Sequence, residues 1–156
     1  MKKHFAFVLP LMLLLTLVLG MQTVRAAETI KIGVLYPLTG GAAAEGRELR
    51  AGAELAAEIA NTSIPEIKME MAKRVGIASM GGAKIELIFK DHEGNPTLGA
   101  DQAKKLIQDD KVIGIMGCYH SAVTKTVSAV CEEMGIPMIN DSSTSPALTT
   151  RAGRPW

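Results

Sequence analysis

Four consecutive residues, Cys118, Tyr119, His120 and Ser121, carry side chains able to do chemistry, and a second polar run, Ser142, Ser143 and Thr144, follows further along the chain. Three uses are open to such a set: a nucleophile, a metal site, or a cradle for a small polar molecule. A hydrolase elbow needs glycine two residues before and two after its serine, so that the strained turn fits, and Ser121 has Tyr119 and Val123 in those places. Cys118 and His120, two apart on an extended segment, point the same way without facing each other, and no third group orients them as an activated nucleophile requires. A structural zinc needs four ligands, usually arriving as two spaced pairs. Cys118 and His120 form one pair, and His92 and Cys131 do not form another. The chain is therefore expected to be no enzyme, and to hold neither a metal nor a cofactor.

The third use suits the residues better. Ser121 falls where an apolar strand-like run hands over to a helical repeat, so it is placed as a natural helix cap. The backbone N–H groups of Ala122 and Val123 would then point outward, unpaired within the helix. A carboxylate could take the Ser121 hydroxyl and one or two of these N–H groups without meeting a full positive charge. Ser121 capping only its own helix is an equally good reading of the same residues. Hydroxyls and carbonyls of Ser142, Ser143 and Thr144 could accept hydrogen bonds from an ammonium group, or could form an ordinary Ser/Thr-rich capping turn before Pro146.

These residues need elements to position them. "TIKIGVLY", Thr29 to Tyr36, is nearly all apolar or β-branched, as a parallel strand buried on both faces should be, and "PLTGG" breaks it. From Glu45, the residues Leu49, Ala53, Ala56 and Ile59 recur at helical spacing. "KIELIFKD", Lys84 to Asp91, is a second strand, with Asp91 expected to brace the turn behind it. Asn95 then caps a helix with Pro96 in its first turn, and Ala103, Leu106 and Ile107 form its inner face. "VIGIMG", Val112 to Gly117, is a third strand. Val123, Val127, Val130 and Met134 mark a third helix, and "IPMIN" is a short fourth strand. This alternation predicts an α/β fold with a doubly wound parallel sheet and right-handed crossovers. Ligands of such sheets lie beyond the carboxyl ends of the strands, where "YPLTGGAAAEG", "GCYHSA" and "NDSSTSPALT" would share one rim. Asn61 to Ala83 is long for a helix-to-strand connection. Within it Ser63 and Glu66 have capping-box spacing, and Ile67, Met71 and Val75 predict one face of a short extra helix.

Length and charge narrow the setting. Lys2 and Lys3 precede an apolar run from Phe5 to Met21, and Val24 and Ala26 provide the small pair of a cleavage site, the pattern of a secretory signal peptide over residues 1–26. The run is short for a bilayer span and is interrupted by Pro10 and Gly20. Cleavage after Ala26 leaves 130 residues and moves the formal charge from +1 to −2, since Lys2, Lys3 and Arg25 depart with the segment. A mature protein in the periplasm, not inserted in the membrane, is expected. The near-neutral balance lacks the basic excess of a nucleic-acid partner. Export makes the two cysteines a question of geometry. If the third helix runs back from the rim, Cys118 lies at the rim and Cys131 about 15 Å away at 1.5 Å per residue, too far for a disulfide. Two free thiols are expected, with Cys131 buried.

Taken in order, "IKIGVLYPLTG" after a signal peptide, "FKDHEGNPTLGADQAKKLI", "VIGIMGCYHSAVTKTVSAVCEEMGIPMIN" and "SSTSPALT" resemble the type I periplasmic solute-binding proteins of branched-chain amino acid ABC importers, the leucine/isoleucine/valine-binding kind. The resemblance spans nearly the whole mature chain. It implies that an amino acid's carboxylate takes the Ser121 hydroxyl and N–H groups near Ala122 and Thr144, while its ammonium meets the Ser142 carbonyl and the Thr144 hydroxyl. It puts Glu45 where some members have an aromatic residue beside the ligand, a departure that bears on an apolar side-chain preference. Tyr119 is placed on the pocket lining or on the surface, and His120 at the rim or surface. The implied partners are an amino acid or similar small polar solute and the membrane permease of an importer. Family members have two lobes that close on the ligand. Residues 27–156 would be the N-terminal ligand-binding lobe, incomplete and without the second lobe, so that the chain reads as an N-terminal fragment. A periplasmic sensor or amide-responsive regulator on the same lobe is the alternative, and a secreted hydrolase is disfavoured by the missing elbow.

Overall fold

The computed structural model describes residues 28–150; the expected signal peptide lies outside them, as do residues 151–156. Strand β1, Thr29–Tyr36, is the centre of the sheet. On one side it pairs in parallel with β2, Lys84–Asp91, from Thr29 opposite Lys84 to Tyr36 opposite Asp91. On the other it pairs in parallel with β3, Gly114–Gly117, where Leu35 stands opposite Gly117. The two-residue strand β4, Met138–Ile139, pairs in parallel with β3 and completes the order β2-β1-β3-β4. Its Ile139 side chain is 68% exposed at the outer edge.

The helices follow from this order. Helix α1, Ala43–Asn61, joins β1 to β2; α2, Pro96–Gln108, carries the chain back across β1 to β3; and α3, Ser121–Glu133, leads to β4. Successive β1 side chains point to opposite faces. Val34 and Tyr36 accordingly pack with Ala53 of α1, while Leu35 packs with Ala103 and Leu106 of α2 and Val123 and Val127 of α3. Helices cover both faces, so the sheet is doubly wound. The winding reverses between β1 and β3, which makes their carboxyl ends the switch point.

Local chemistry accounts for the element ends. The Asn95 carboxamide accepts from the N–H groups of Thr97 (2.9 Å) and Leu98 (3.1 Å), so the predicted cap with Pro96 in the first turn is formed. Asp91 braces the turn after its strand, accepting from the Leu38 and Glu93 N–H groups at 2.9 Å each and from the Thr39 hydroxyl. Gly46 lies so close to the first loop that a Cβ there would sit 2.0 Å from the Pro37 carbonyl oxygen.

Several expectations are corrected. Helix α1 begins at Ala43, before Glu45; its inner row runs through Leu49, Ala53 and Ala60, with Ala56 exposed. Strand β3 begins at Gly114 rather than Val112, although the Ile113 N–H already reaches the Lys31 carbonyl at 2.9 Å; the Ile113 side chain is exposed. The predicted helix in Asn61 to Ala83 is absent; two short 3-10 turns, Glu70–Lys73 and Ala78–Met80, take its place. Ser63 does not cap a helix but bonds the Lys73 carbonyl at 3.4 Å, and Ala72, rather than Met71 or Val75, is the buried anchor. The Gly76 N–H ties this segment to the Ala60 carbonyl at 2.8 Å, which uses the helix end for a loop contact.

Candidate functional site: the rim at the switch point

The loop after β3 and the Ser/Thr loop after β4 meet at this rim. Gly117 lets the end of β3 lie close against β1: at φ 131° it occupies a region side chains rarely adopt, and a Cβ would lie 2.2 Å from the Leu35 carbonyl oxygen. The chain then passes through Tyr119, itself at φ 72°, and enters α3. His120, not Ser121, is the N-cap residue, and no side chain caps the helix. Ser121 is the first helical residue, and its hydroxyl oxygen instead accepts from the Ser145 N–H at 3.3 Å. The sequence placed the serine correctly at the handover but assigned its oxygen to the wrong backbone.

Beneath the rim lies His92, fully buried. Its Nε2 bonds the Cys118 carbonyl at 2.7 Å and its Nδ1 lies 3.0 Å from the Gly94 N–H, so Nε2 carries the proton and Nδ1 accepts. Burial, reinforced by the neighbouring His120, holds its pKa below the usual histidine value despite the opposing hydrogen bond to Cys118. His120 is half-buried where it lines the rim, edge-on to both the His92 and Tyr119 rings, with Nδ1 buried and unpaired among the described residues. Cys118 is buried rather than at the rim, and Cys131 is buried with it; both are free. Burial pushes the Cys131 thiol up to about 11 and raises Cys118 further still, which leaves neither as a thiolate near neutral pH.

The second loop is laced to the first by neutral groups. Ser143 donates to the Tyr119 carbonyl at 3.0 Å, and its oxygen lies 2.6 Å from the Thr124 hydroxyl. Asn140 holds Ser143 from both sides, accepting from its N–H at 2.9 Å and donating to its carbonyl at 2.8 Å. At the margin the buried Tyr36 hydroxyl donates to Asp141 Oδ2, and the Ser142 hydroxyl donates to Asp141 Oδ1 at 2.7 Å. Burial, then the Asp141 hydrogen bond and charge, raise the Tyr36 pKa, so the phenol keeps its proton.

A cavity of ≈ 480 Å³ opens at the switch point, with Glu45, Glu93, Tyr119 and His120 among its lining residues. The sequence-predicted residues thus fall as follows. Glu45 and Tyr119 line the cavity, and the other predicted residues do not: Ser121 touches the second loop; Ala122 and Thr144 are exposed; Ser142 is half-buried with its hydroxyl turned to Asp141. Sequence reasoning missed Tyr36, Thr124, Asn140, Asp141 and the bracing role of Ser143. Thr124 left a signal, because it lies on the row it shares with Val127 and Cys131, where a polar group needs a partner. Asn140 and Ser143, three apart, also have the spacing of a side-chain-closed turn. Among the described residues no three His, Cys, Asp or Glu side chains group to hold a metal, and no helix is long and apolar enough to cross a membrane.

The four parallel strands and their helices are one partial lobe of a type I periplasmic binding fold. The chain belongs to the periplasmic binding protein family, whose model matches residues 29–156. It is 35% identical over 126 residues to Leu/Ile/Val-binding protein homolog 3 of Brucella melitensis, covering 81% of this chain and 30% of the relative. The structure of the branched-chain amino acid transporter substrate-binding protein of Streptococcus pneumoniae in complex with isoleucine superposes with a TM-score of 0.63 and 28% identity, covering 78% of this chain and 31% of that one. The solute-binding protein of an ABC transporter from Rhodopseudomonas palustris in complex with 3,4-dihydroxybenzoic acid superposes with a TM-score of 0.61 and 25% identity, covering 79% and 30%. The chain spans about 30% of the length of the relatives it matches.

Proposed function

We propose that this chain supplies the first-lobe half of the solute cleft of an ABC importer's periplasmic binding component, and that its solute is an amino acid gripped by its carboxylate and ammonium groups. The carrying observation is the bond from the Ser145 N–H to the Ser121 hydroxyl oxygen, which brings the α3 start and the Ser/Thr loop to one rim. In this reading the carboxylate takes the Ser121 hydroxyl and the N–H groups of Ala122 and Thr144; the ammonium takes the Ser142 carbonyl and the Thr144 hydroxyl. Glu45 and Tyr119 border the space left for the solute's side chain. The reading includes export with cleavage after Ala26 and delivery to a membrane permease. Family membership and the names of the amino-acid-binding relatives support it.

The test is a titration of the chain with L-leucine, L-isoleucine, L-glutamine and 3,4-dihydroxybenzoate, followed by amide chemical shifts, which register affinities as weak as millimolar. At least one amino acid is expected to shift the amides of Ser121, Ala122 and Thr144 saturably, and Ser121→Ala to weaken it about tenfold, the loss of one or two charge-assisted hydrogen bonds. If no amino acid moves these amides, or if Ser121→Ala leaves the affinity unchanged, the cradle is wrongly placed.

A further inference from the structure

The superposed structures pose a choice, since one holds an amino acid and another an aromatic acid that has a carboxyl group but no ammonium. The directions of two hydrogen bonds at the rim bear on it. The Ser121 oxygen already accepts from the Ser145 N–H, so its own proton is uncommitted among the described residues and is available to an anion. Ser142 is the opposite case: its hydroxyl proton is committed to Asp141 Oδ1, so the hydroxyl oxygen can only accept, as the Ser142 carbonyl of the proposed cradle does. The carboxylate that sets this polarity is itself held. Tyr36, 1% exposed at the end of β1, donates to Asp141 Oδ2 from 105 positions away in the chain, which fixes both carboxylate oxygens while the residue stays at the surface of the rim.

From this arrangement we infer that Asp141 is a specificity-determining residue: clamped by Tyr36, it orients Ser142 as an acceptor and puts a negative charge beside the ammonium end of the cradle, so that the site selects solutes carrying a protonated amine over carboxylates without one. A carboxylate-only solute would meet lone pairs and a like charge at that end. An amine would meet the Ser142 carbonyl, a Ser142 hydroxyl oxygen held as an acceptor, and an opposite charge, the stronger kind of hydrogen bond. Tyr36 acts through Asp141 and is a positioning residue. The inference rests on the reading of the rim as an amino-acid cradle.

The test compares L-leucine with 4-methylpentanoate, which lacks only the amino group, binding to the chain by the same amide titration. The unaltered protein is expected to prefer leucine by tenfold or more. Asp141→Asn, isosteric and at an exposed position, is expected to weaken leucine about tenfold while changing 4-methylpentanoate less than twofold. Tyr36→Phe is expected to lower the preference by a smaller factor, with Asp141 and Ser142 amides displaced in the free protein. Equal weakening of both compounds by Asp141→Asn would mean a merely structural loop contact and would overturn the inference. So would an unchanged preference, or an unaltered protein that binds the two alike. If leucine shifts the Ser121 and Thr144 amides and only the preference behaves wrongly, the cradle stands without this role for Asp141; if leucine moves neither amide, both readings fail.

Discussion

The two halves of the rim are held together by different chemistry. On the β1/β2 side a single carboxylate, Asp91, gathers the Leu38 N–H, the Glu93 N–H and the Thr39 hydroxyl, so one ionised group organises two loops. On the β3/β4 side the brace is neutral: Ser143, Asn140 and Thr124 share their hydrogen bonds, with Asp141 attached only at the margin. A charged brace concentrates stability in one residue and makes it pH-dependent. A neutral network spreads it over several residues and leaves the adjoining electrostatics free for a ligand. The half that presents Ser121, Ser142 and Thr144 is the neutral one.

The largest effect should come from breaking the joint between the halves. Gly117→Ala adds a Cβ 2.2 Å from the Leu35 carbonyl in a backbone region suited to glycine. It is expected to cost about 3–4 kcal/mol and to lower Tm by about 10 °C or more, as measured by thermal unfolding. An unchanged Tm would mean that the halves are not pressed together as described.

Next comes the charged half. Asp91→Ala leaves two N–H groups and a hydroxyl without their acceptor, a loss of about 1–3 kcal/mol at pH 7. Burial raises the Asp91 pKa, but the Thr39 hydroxyl, the Glu93 and Leu38 N–H groups and the charge of His92 outweigh it, so the folded value is lowered. Its contribution is therefore present above the unfolded value of about 3.9 and disappears as pH falls through the lowered folded value. His92, also lowered in the fold, binds its proton more readily when unfolded, so stability begins to fall below about pH 6.5. Urea unfolding across pH should show both windows in the unaltered chain, and Asp91→Asn should retain the upper one and lose the lower.

The smallest effect is expected on the neutral half. Ser143→Ala removes the bond to the Tyr119 carbonyl and one partner of Thr124, which can still turn to the His120 carbonyl at 3.2 Å. A loss of about 1 kcal/mol, constant between pH 4 and pH 8, is expected because no titrating group takes part. A loss that varies strongly with pH would erase the contrast between the halves.

How much of this was legible follows from what each feature depends on. Strand runs such as "TIKIGVLY" and the Asn95 cap are local, and their chemistry is complete within a few residues, so β1, β2 and α2 could be read from spacing. The alternation of elements predicts a doubly wound parallel sheet, but not the order β2-β1-β3-β4 that puts the switch point between β1 and β3. The bond between Ser145 and Ser121, the burial of Cys118 and the half-burial of His120 depend on how the loops after β3 and β4 fold against each other and against β1, distances that no periodicity encodes. The segment from Asn61 to Ala83 misled for the converse reason. Its capping-box spacing favours a helix, but the tie from Gly76 to the Ala60 carbonyl and the burial of Ala72 outweigh that local preference.

The shortness of β4 bears on how the protein behaves when concentrated. Among the described residues β4 pairs on one side only, and a strand edge left open is a template on which another chain can grow a sheet. Here that template stops after two residues. Pro137 before it has no N–H to offer, and Asn140 after it is turned into its bonds with Ser143. Contacts between molecules at this edge can form only a brief ladder, so any sheet growth would have to start from the longer strand at the opposite edge, β2.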